Sequence, residues 1–369
     1  MDMISILIPV YKESDLVETL LNQLIKDPYK DKEIITVIDE PTENSLKTVK
    51  KYKNRVKFIL NKERKGKVTA LNEATKITKG DIFLFLDSDT IISNESKNFL
   101  KKVEEEMEGV DLIDIKKKPI MSSLFSKVIN YEYLAYYMSS FLCSKIIKKC
   151  AGIGGQAFAI KRNFFEEIGG FGHVISEDLE IGIQTFIKNK TFKFVEDIEV
   201  FTKTVSSWKC WLNQRERWAV GASQHFKKHW KIILKESIKH PKILLMSLYL
   251  AWPTLLSFLS SFLVDSFLGK FFILSLILLS LKFTFISPIV FILSLYTIFI
   301  RNALLFFMTY IFSAFIFYLG CKKFKHYFSK LDFTIYYVLY SPISSIFYNF
   351  YFIKGLFSSE QIILKDWKV

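Results

Sequence analysis

The sequence predicts an α/β domain with a mixed, mainly parallel sheet, followed by an α-helical membrane region. Over the N-terminal half, short apolar segments alternate with helical segments of about a dozen residues, a pattern typical of βαβ units. From Ile243 onward, long apolar runs with few charges dominate, as in membrane-spanning helices. A chain of 369 residues is also too long for one ordinary hydrophobic core.

The N-terminal elements follow from the spacing of apolar residues. Predicted strands cover residues 4–10, 33–39, 56–60, 82–86 and 192–202, and predicted helices cover residues 15–26, 42–52, 67–78 and 208–218. No GxGxxG pattern follows the first strand, which disfavours a classical dinucleotide-binding fold. The aromatic segment 120–147 has two open interpretations, a helix at a bilayer surface or an ordinary helix that covers the sheet.

The net charge of +14 raises the question of a nucleic-acid partner. The basic residues do not form a separate arm, however, because many of them immediately precede the first apolar run. Lysines in this position fit the cytoplasmic side of a membrane and its anionic headgroups better than DNA. We therefore expect a lipid bilayer as partner and no nucleic acid. The lysines concerned are Lys227, Lys228, Lys231, Lys235, Lys239 and Lys242.

Four apolar runs define the predicted membrane region, and they cover residues 243–264, 271–300, 303–320 and 333–357. Pro288 is expected to break the second of these runs. Three or four crossings are expected from them. The first ten residues are predicted to form a strand, because they lack the basic and long apolar parts of a signal peptide. The predicted organisation is a cytoplasmic domain over 1–225, a basic interfacial helix over 226–242, and transmembrane or interfacial helices over 243–369. The expected location is the cell membrane.

The most informative motif is Asp87-Ser88-Asp89, which follows the predicted buried strand over residues 82–86. In open α/β sheets, ligands bind in the crevice beyond the carboxyl ends of the strands. Paired carboxylates there suit Mg2+ or Mn2+ carrying a diphosphate, because these ions leave coordination positions for phosphate oxygens. Paired acids after a strand are also common in solvated loops and helix caps, so the motif is interpreted with its companions.

Acidic residues occur at two further predicted element ends. Asp39 ends the second strand, where a carboxylate can accept a hydrogen bond from a bound nucleotide or stabilise a turn. Glu177 and Asp178 follow a glycine-rich loop at the start of a predicted helix, where the helix dipole also favours acids. Asp178 is a candidate general base that deprotonates a sugar or lipid hydroxyl.

A third companion motif, Gln214-Arg215-Glu216-Arg217-Trp218, lies in a predicted helix. Helical spacing places Gln214, Arg217 and Trp218 on one face. A guanidinium group holds a diphosphate well, and an indole ring can support a sugar ring or simply pack in a core.

Taken in order, these motifs resemble the family 2 glycosyltransferases of the GT-A fold, in their membrane-integrated branch. That branch includes cellulose, hyaluronan and chitin synthases and ceramide glucosyltransferase. The resemblance covers residues 4 to about 220, and the motif of QxxRW type is its most specific part. It also includes the segments Ser5-Ile6-Leu7-Ile8-Pro9-Val10-Tyr11, Lys65-Gly66-Lys67 with Ala70-Leu71-Asn72, and Gly155-Gln156.

The resemblance implies a role for each candidate residue. Asp39 and Asp87 would contact a nucleotide, usually UDP, and Lys67 would approach its uridine side. Asp89 would coordinate the metal, and Asp178 would be the catalytic base. Gln214 and Arg217 are expected on the donor side of the site. The residues expected on the acceptor side are Glu177, Trp218, Gly155 and Gln156.

We therefore expect an inverting, Mg2+- or Mn2+-dependent glycosyltransferase. It would move a sugar from a nucleotide-sugar, with a UDP-sugar favoured, to a hydroxyl of a lipid or growing polysaccharide at the membrane. Two alternatives stay open at this point. One is a polyprenyl-phosphate glycosyltransferase, which has the same fold and donor but a phosphate acceptor. The other is a membrane scaffold that has kept the fold and lost turnover.

Overall fold

A computed structural model of the protein describes residues 2–205, 207–254 and 267–357. One mixed sheet organises the N-terminal part of the chain. Its strands are β1 (Ile4–Tyr11), β2 (Lys32–Asp39), β3 (Lys57–Asn61), β4 (Ile82–Leu86), β5 (Thr90–Ile92), β6 (Leu112–Pro119), β7 (Ala157–Lys161) and β8 (Phe192–Thr202).

Helices flank this sheet and make up the C-terminal region. Those interleaved with the strands are α1 (Val17–Lys26), α2 (Glu43–Tyr52), α3 (Lys67–Thr75), α4 (Phe99–Met107), α5 (Leu124–Leu142), α6 (Arg162–Glu167) and α7 (Glu177–Ile187). Those that follow the sheet are α8 (Trp208–Lys239), α9 (Pro241–Ala251), α10 (Phe267–Lys282), α11 (Ser287–Phe324), α12 (Lys330–Ile335) and α13 (Ser341–Phe357).

The sheet has the strand order β3-β2-β1-β4-β7-β6-β8-β5. Strands β1, β2, β3 and β4 are mutually parallel, and β7 pairs antiparallel with both β4 and β6. The carboxyl ends of β1, β2 and β4 therefore meet at one edge, where Tyr11 is in register with Asp39. This edge is the crevice that the sequence analysis expected beyond the strand ends.

Strand β4 shows why a continuous apolar run forms a strand in this fold. Its side chains are at most 2% exposed, and they alternate between two hydrophobic cores. Phe83 and Phe85 belong to the core that includes helices α3 and α5, whereas Leu84 and Leu86 belong to the core that includes α1 and α4. Because helices cover both faces, every position of the strand is apolar.

The segment 120–147 is resolved in favour of a packed helix. Helix α5 buries Tyr131 and Tyr137 completely, and Tyr137 stacks on Phe194 of β8. The same helix contacts the C-terminal region, since the Tyr131 hydroxyl donates a hydrogen bond to the Ser329 carbonyl at 3.0 Å. Helix α5 thus joins the sheet to the C-terminal helices.

Helix boundaries after residue 207 differ from the predicted ones. Helix α8 runs without a break from the predicted helix 208–218 to Lys239, so the segment 226–242 does not form a separate helix. The division expected between residues 300 and 303 is wrong, because α11 continues through Arg301 and Asn302. The break expected at Pro288 is confirmed, since Pro288 lies in the first turn of α11. Proline is favoured in the first turn of a helix, because the N–H groups there have no acceptor within the helix and its missing N–H costs no hydrogen bond.

Among the described residues, one segment is apolar and long enough to cross a membrane by length and composition, Phe299–Phe324 within α11. Of the predicted run 243–264, the residues from 255 lie outside the described part of the chain. The predicted run 333–357 packs one side on the domain, through buried Phe333, Tyr337 and Tyr340, while Ile346 and Phe350 of α13 are exposed.

Candidate active site

All the candidate site residues named from the sequence line one cavity of about 790 Å3 at the carboxyl ends of β1, β2 and β4. They are Asp39, Lys67, Asp87, Asp89, Gly155, Gln156, Glu177, Asp178, Gln214, Arg217 and Trp218. The residues come from segments more than one hundred positions apart in the chain, and the fold brings them to the same cavity. The predicted metal ligand Asp89 and the predicted base Asp178 therefore share a cleft.

The Asp87-Ser88-Asp89 motif forms a turn between β4 and β5. The backbone N–H of Asp87 donates a hydrogen bond to the carbonyl of Gln156 at 2.9 Å, which ties the motif to the segment before β7. The carbonyl of Asp87 accepts hydrogen bonds from the backbone N–H and the hydroxyl of Thr90, at 3.1 and 2.7 Å. This closed turn holds both carboxylates at the cavity.

The carboxylate of Asp89 has an unmet hydrogen-bonding capacity. Its Oδ1 atom is buried and has no hydrogen-bond partner within the described ranges. Burial, together with repulsion from the carboxylate of Asp87, raises the pKa of Asp89 to about 6. A buried carboxylate oxygen without a protein donor is costly, and a bound divalent cation removes that cost. The donor set of Asp87 and Asp89 therefore fits a hard cation such as Mg2+ or Mn2+.

Lys67 links the two acidic motifs. Its Nζ atom lies 2.9 Å from Oδ1 of Asp87 and 3.1 Å from Oε1 of Glu177. Burial alone lowers the pKa of Lys67, but the two carboxylates outweigh this effect and raise the pKa above its ordinary value. Lys67 is therefore a permanent cation in the cavity wall, and it neutralises part of the acidic charge gathered there.

Asp178 occupies the first turn of α7, where it accepts two backbone hydrogen bonds. The N–H of Leu179 donates to Oδ1 at 2.8 Å, and the N–H of Gly155 donates to Oδ2 at 3.2 Å. A Cβ atom at Gly155 would lie 3.0 Å from the same Oδ2, so only glycine leaves the carboxyl undisturbed. Burial and the neighbouring Glu177 raise the pKa of Asp178 to about 6, a value suited to accepting a proton near neutral pH.

Asp39 shapes the loop between β3 and α3. Its Oδ2 atom accepts hydrogen bonds from the backbone N–H groups of Lys65 and Gly66, at 3.0 and 2.8 Å, and its Oδ1 atom accepts one from Asn61 at 2.8 Å. Gly66 has a φ of 89°, a conformation that favours glycine. The side chain of Asp39 lines the cavity. By holding Gly66, it also positions Lys67, which follows Gly66 at the start of α3.

The face of α8 that was predicted to carry Gln214, Arg217 and Trp218 does face the cavity. Burial lowers the pKa of Arg217, an effect opposed mainly by Glu177 and also by Asp178. The guanidinium nevertheless stays charged, since its pKa lies far above neutral. Arg217 therefore brings a positive charge to the wall opposite the strand ends.

Arg215, the second residue of the same motif, was given no role from the sequence, and it does not line the cavity but supports α8 from behind. It is almost completely buried, it forms an ion pair with Glu132, and it donates a hydrogen bond to the Tyr340 hydroxyl at 3.0 Å. Its guanidinium also lies 4.2 Å from the centre of the Trp218 ring. The spacing could have predicted these contacts on α8. Arg215 is four residues from Trp211 and three from Trp218, so it lies on the same helix face as both.

Two residues that line the cavity, Lys117 and Tyr133, were missed from the sequence. Lys117 belongs to a run of three lysines that looks like a solvated surface, yet its side chain is buried and paired with Asp114. Tyr133 accepts a hydrogen bond from the side-chain amide of Gln156 at 3.1 Å. No local pattern identifies these residues, because their partners lie far away in the sequence.

Comparison with known proteins agrees with this geometry. Residues 5–169 match the model of glycosyl transferase family 2. The probable glycosyltransferase YdaM of Bacillus subtilis is 26% identical over 229 residues, or 59% of this chain and 54% of YdaM. These matches support glycosyltransferase family 2.

A further relative is similar over a longer part of the chain. A poly-beta-1,6-N-acetyl-D-glucosamine synthase of Staphylococcus aureus is 26% identical over 282 residues, 72% of this chain and 64% of the synthase. The chain thus spans about half to two thirds of the length of these two curated relatives.

Among solved structures, the mannosyltransferase PcManGT from Pyrobaculum calidifontis, in complex with GDP-Man and Mn2+, superposes with a TM-score of 0.52 at 18% identity. The match covers 82% of this chain and 87% of PcManGT. It supports the predicted α/β fold of GT-A type, with a curled mixed sheet followed by a helical C-terminal region.

Proposed function

We propose that this protein is an inverting, metal-dependent family 2 glycosyltransferase that transfers a sugar from a nucleotide-sugar to an acceptor hydroxyl. The observation that carries the proposal is the shared cavity, which joins Asp87 and Asp89 at the strand ends to Asp178 on α7 and Arg217 on α8. A metal site, a proton acceptor and a fixed cation are the groups that this transfer requires.

The donor is assigned to the side of the cavity formed by the strand ends. There Asp39 fixes the loop that precedes Lys67, and the partly buried Lys67 contributes a positive charge that favours a diphosphate. Arg217 supplies a second cation from α8. We favour a UDP-sugar as donor, on the resemblance of the motifs to enzymes that use one.

Asp89, assisted by Asp87, is the proposed holder of Mg2+ or Mn2+, because its buried Oδ1 atom has no protein donor in the described structure. Such a cation, when bound, neutralises negative charge on the departing nucleoside diphosphate. Arg217 and Lys67 act on the same charge from the protein side. Charge that develops during bond breaking is thereby stabilised more strongly than charge in the bound donor.

Asp178 is the proposed general base. Its two backbone hydrogen bonds fix the carboxyl, and its raised pKa lets it take the proton of an incoming hydroxyl near neutral pH. Attack of that hydroxyl from the face opposite the diphosphate inverts the anomeric centre. Glu177, Trp218, Gly155 and Gln156 are assigned to the acceptor side.

The proposed acceptor is a polysaccharide or lipid hydroxyl at a membrane surface. One relative is described as a synthase of a polysaccharide, and this chain carries one apolar segment long enough to span a bilayer. Helices α10 and α11 also expose many large apolar side chains, among them Leu281, Phe291 and Phe299. Exposed apolar surface of this extent is typical of a membrane-associated region. The proposed organisation keeps residues 1–225 as the cytoplasmic catalytic domain.

The direct test is a donor panel. Full-length protein, purified in detergent, is incubated with Mn2+, a series of UDP- and GDP-sugars, and oligosaccharide or lipid-extract acceptors. We expect transfer from one UDP-sugar, with a β-linked product from an α-linked donor as determined by NMR. Absence of transfer and of nucleotide release with every donor would refute the proposal and favour a catalytically silent scaffold. An acid-labile sugar phosphate product would instead identify a polyprenyl-phosphate acceptor.

A further inference from the structure

Outside the cavity wall, three side chains with metal-binding chemistry gather between α7 and α8. Glu180 lies on α7, and His225 and His229 lie one helical turn apart on the same face of α8. One ligand atom from each of the three side chains lies within 4.8 Å of the other two. None of these residues lines the candidate active site.

The two histidines of this cluster differ in their hydrogen bonds. The Nε2 atom of His229 lies 3.0 Å from Oε2 and 3.2 Å from Oε1 of Glu180. The Nδ1 atom of His225 lies 3.8 Å from Oε2 of Glu180, beyond hydrogen-bond distance. Both ring nitrogens of His225 are buried without a hydrogen-bond partner among the described residues, and its side chain is only 9% exposed. A buried imidazole without a hydrogen bond costs free energy, and a ligand bound to one of its ring nitrogens would remove that cost.

We propose that Glu180, His225 and His229 form a Zn2+-binding site. Two imidazoles and one carboxylate make up a common zinc ligand set, and zinc prefers imidazole nitrogen more than Mg2+ or Ca2+ does. Tetrahedral zinc with bonds of 2.0–2.1 Å places its ligand atoms about 3.3 Å apart. The two histidine–Glu180 separations of 3.0 and 3.8 Å bracket this value, and the three ligand atoms all lie within 4.8 Å of one another. The side chains therefore need to move by about an ångström to bind the ion.

Lys228 competes with a cation for this site. Its Nζ atom lies 2.8 Å from Oε1 of Glu180, and its side chain is 55% exposed. Because the ammonium group is largely in water, it can leave Glu180 at little cost when a divalent ion arrives. Binding of zinc therefore exchanges a surface ion pair for a metal bond.

The position of the site gives it a structural consequence. Glu180 lies on the first turns of α7, just after Glu177 and Asp178, and the two histidines lie two to three turns beyond Arg217 on α8. A zinc ion would join α7, which carries the proposed base Asp178, to α8, which carries the proposed diphosphate-binding residue Arg217. This consequence rests on the proposed function, whereas the binding of zinc does not.

The experiment measures zinc binding by full-length protein that has been stripped with a chelator and purified in detergent. An Asp89→Asn background removes the cation site of the active-site cavity. Isothermal titration with Zn2+ is expected to give one tight equivalent in this background, and Co2+ is expected to give the intense visible absorption of a tetrahedral site. His225→Ala and His229→Ala should weaken binding at least 100-fold, since each removes a direct ligand. His240→Ala, at the end of the same helix, is the matched control and should bind as the background does.

A further variant is expected to strengthen zinc binding rather than weaken it. Lys228→Ala removes the competing ammonium group, so Zn2+ should bind roughly threefold more tightly. Because His225 makes no hydrogen bond in the described structure, His225→Ala is expected to keep its circular dichroism spectrum and melting temperature. The proposal is overturned if the background protein binds no zinc, if His225→Ala binds as tightly as the control, or if Lys228→Ala binds more weakly.

Discussion

Replacing Asp178 with asparagine tests the proposed base through activity and stability together. Burial and the adjacent Glu177 raise the pKa of Asp178 from its ordinary value of 3.8 to about 6. The ionised carboxyl is therefore less favourable in the folded protein than in the unfolded chain. The resulting penalty is absent below the unfolded pKa of about 4, grows as the pH rises, and is complete above about pH 6.

The magnitude follows from the two pKa values. At about 1.36 kcal/mol per pH unit, the difference between them corresponds to roughly 3 kcal/mol at neutral pH. Asparagine removes this penalty but loses one accepted hydrogen bond, from the N–H of Gly155 or Leu179, worth about 1 kcal/mol. We expect Asp178→Asn to be more stable by about 1–2 kcal/mol at pH 7.5, which raises the Tm by several degrees. The gain should shrink as the pH falls to 5.

Transfer by the same variant should fall by about 10²- to 10⁴-fold, the usual contribution of a general base, while nucleotide-sugar binding is retained. Thermal unfolding is followed by intrinsic fluorescence, and transfer is followed by nucleotide release. Asp197→Asn, at an exposed position of β8, is the matched control and should change neither quantity. Wild-type transfer by Asp178→Asn would remove Asp178 from the base role. A lower Tm would refute the argument from the raised pKa.

Three further outcomes are expected. The kcat/KM of the wild type should rise with pH through about 6, as Asp178 loses its proton, and a flat profile from pH 5 to 8 would contradict its role. Arg215→Met leaves the Glu132 carboxylate without its cationic partner and should lower the free energy of unfolding by about 2 kcal/mol. The double variant with Glu132→Gln should recover part of that loss in a melting experiment. Asp39→Asn weakens the hydrogen bond that the side chain accepts from the N–H of Gly66. The KM for the donor should therefore rise about tenfold, with kcat little changed. An unchanged KM would show that Asp39 has no part in donor binding.

The strands that build the site were predictable because they are buried on both faces. Strands β1, β2 and β4 are built around buried apolar runs, and the observed bounds lie within about a residue of the predicted ones. Strand β6 escaped prediction because it contains Lys116, Lys117 and Lys118, which look like a solvated charge cluster. In the fold, Glu199 of β8 pairs with Lys116 at 3.0 Å and with Lys118 at 2.8 Å, a compensation that arises only when distant strands meet.

Helix ends in the apolar C-terminal region were less predictable. Arg301 and Asn302 interrupt the hydropathy of α11 but not its backbone hydrogen bonds, so they do not end the helix. Proline at position 288 acts on the backbone itself, and the helix begins there. Hydropathy therefore identified the apolar residues correctly but placed one division at the wrong position.

The candidate site was predictable as a set of residues and not as a set of contacts. Acids at strand and helix ends are visible in the sequence because their chemistry is unusual for such positions. The bridge from Lys67 to Glu177 joins residues 110 positions apart, and the ion pair between Arg215 and Glu132 joins an α8 residue to an α5 residue. Such pairings depend on how the helices pack and have no local signal.

The central claim is that Asp89 holds a divalent cation that carries the nucleoside diphosphate of the donor. Calorimetric titration of UDP into purified full-length protein, with Mn2+ and with a chelator, tests this claim most directly. We predict that Mn2+ strengthens UDP binding to the wild type at least tenfold and leaves binding to Asp89→Asn unchanged. Equal affinity of the wild type with and without Mn2+, or the same Mn2+ effect in both proteins, would contradict the claim.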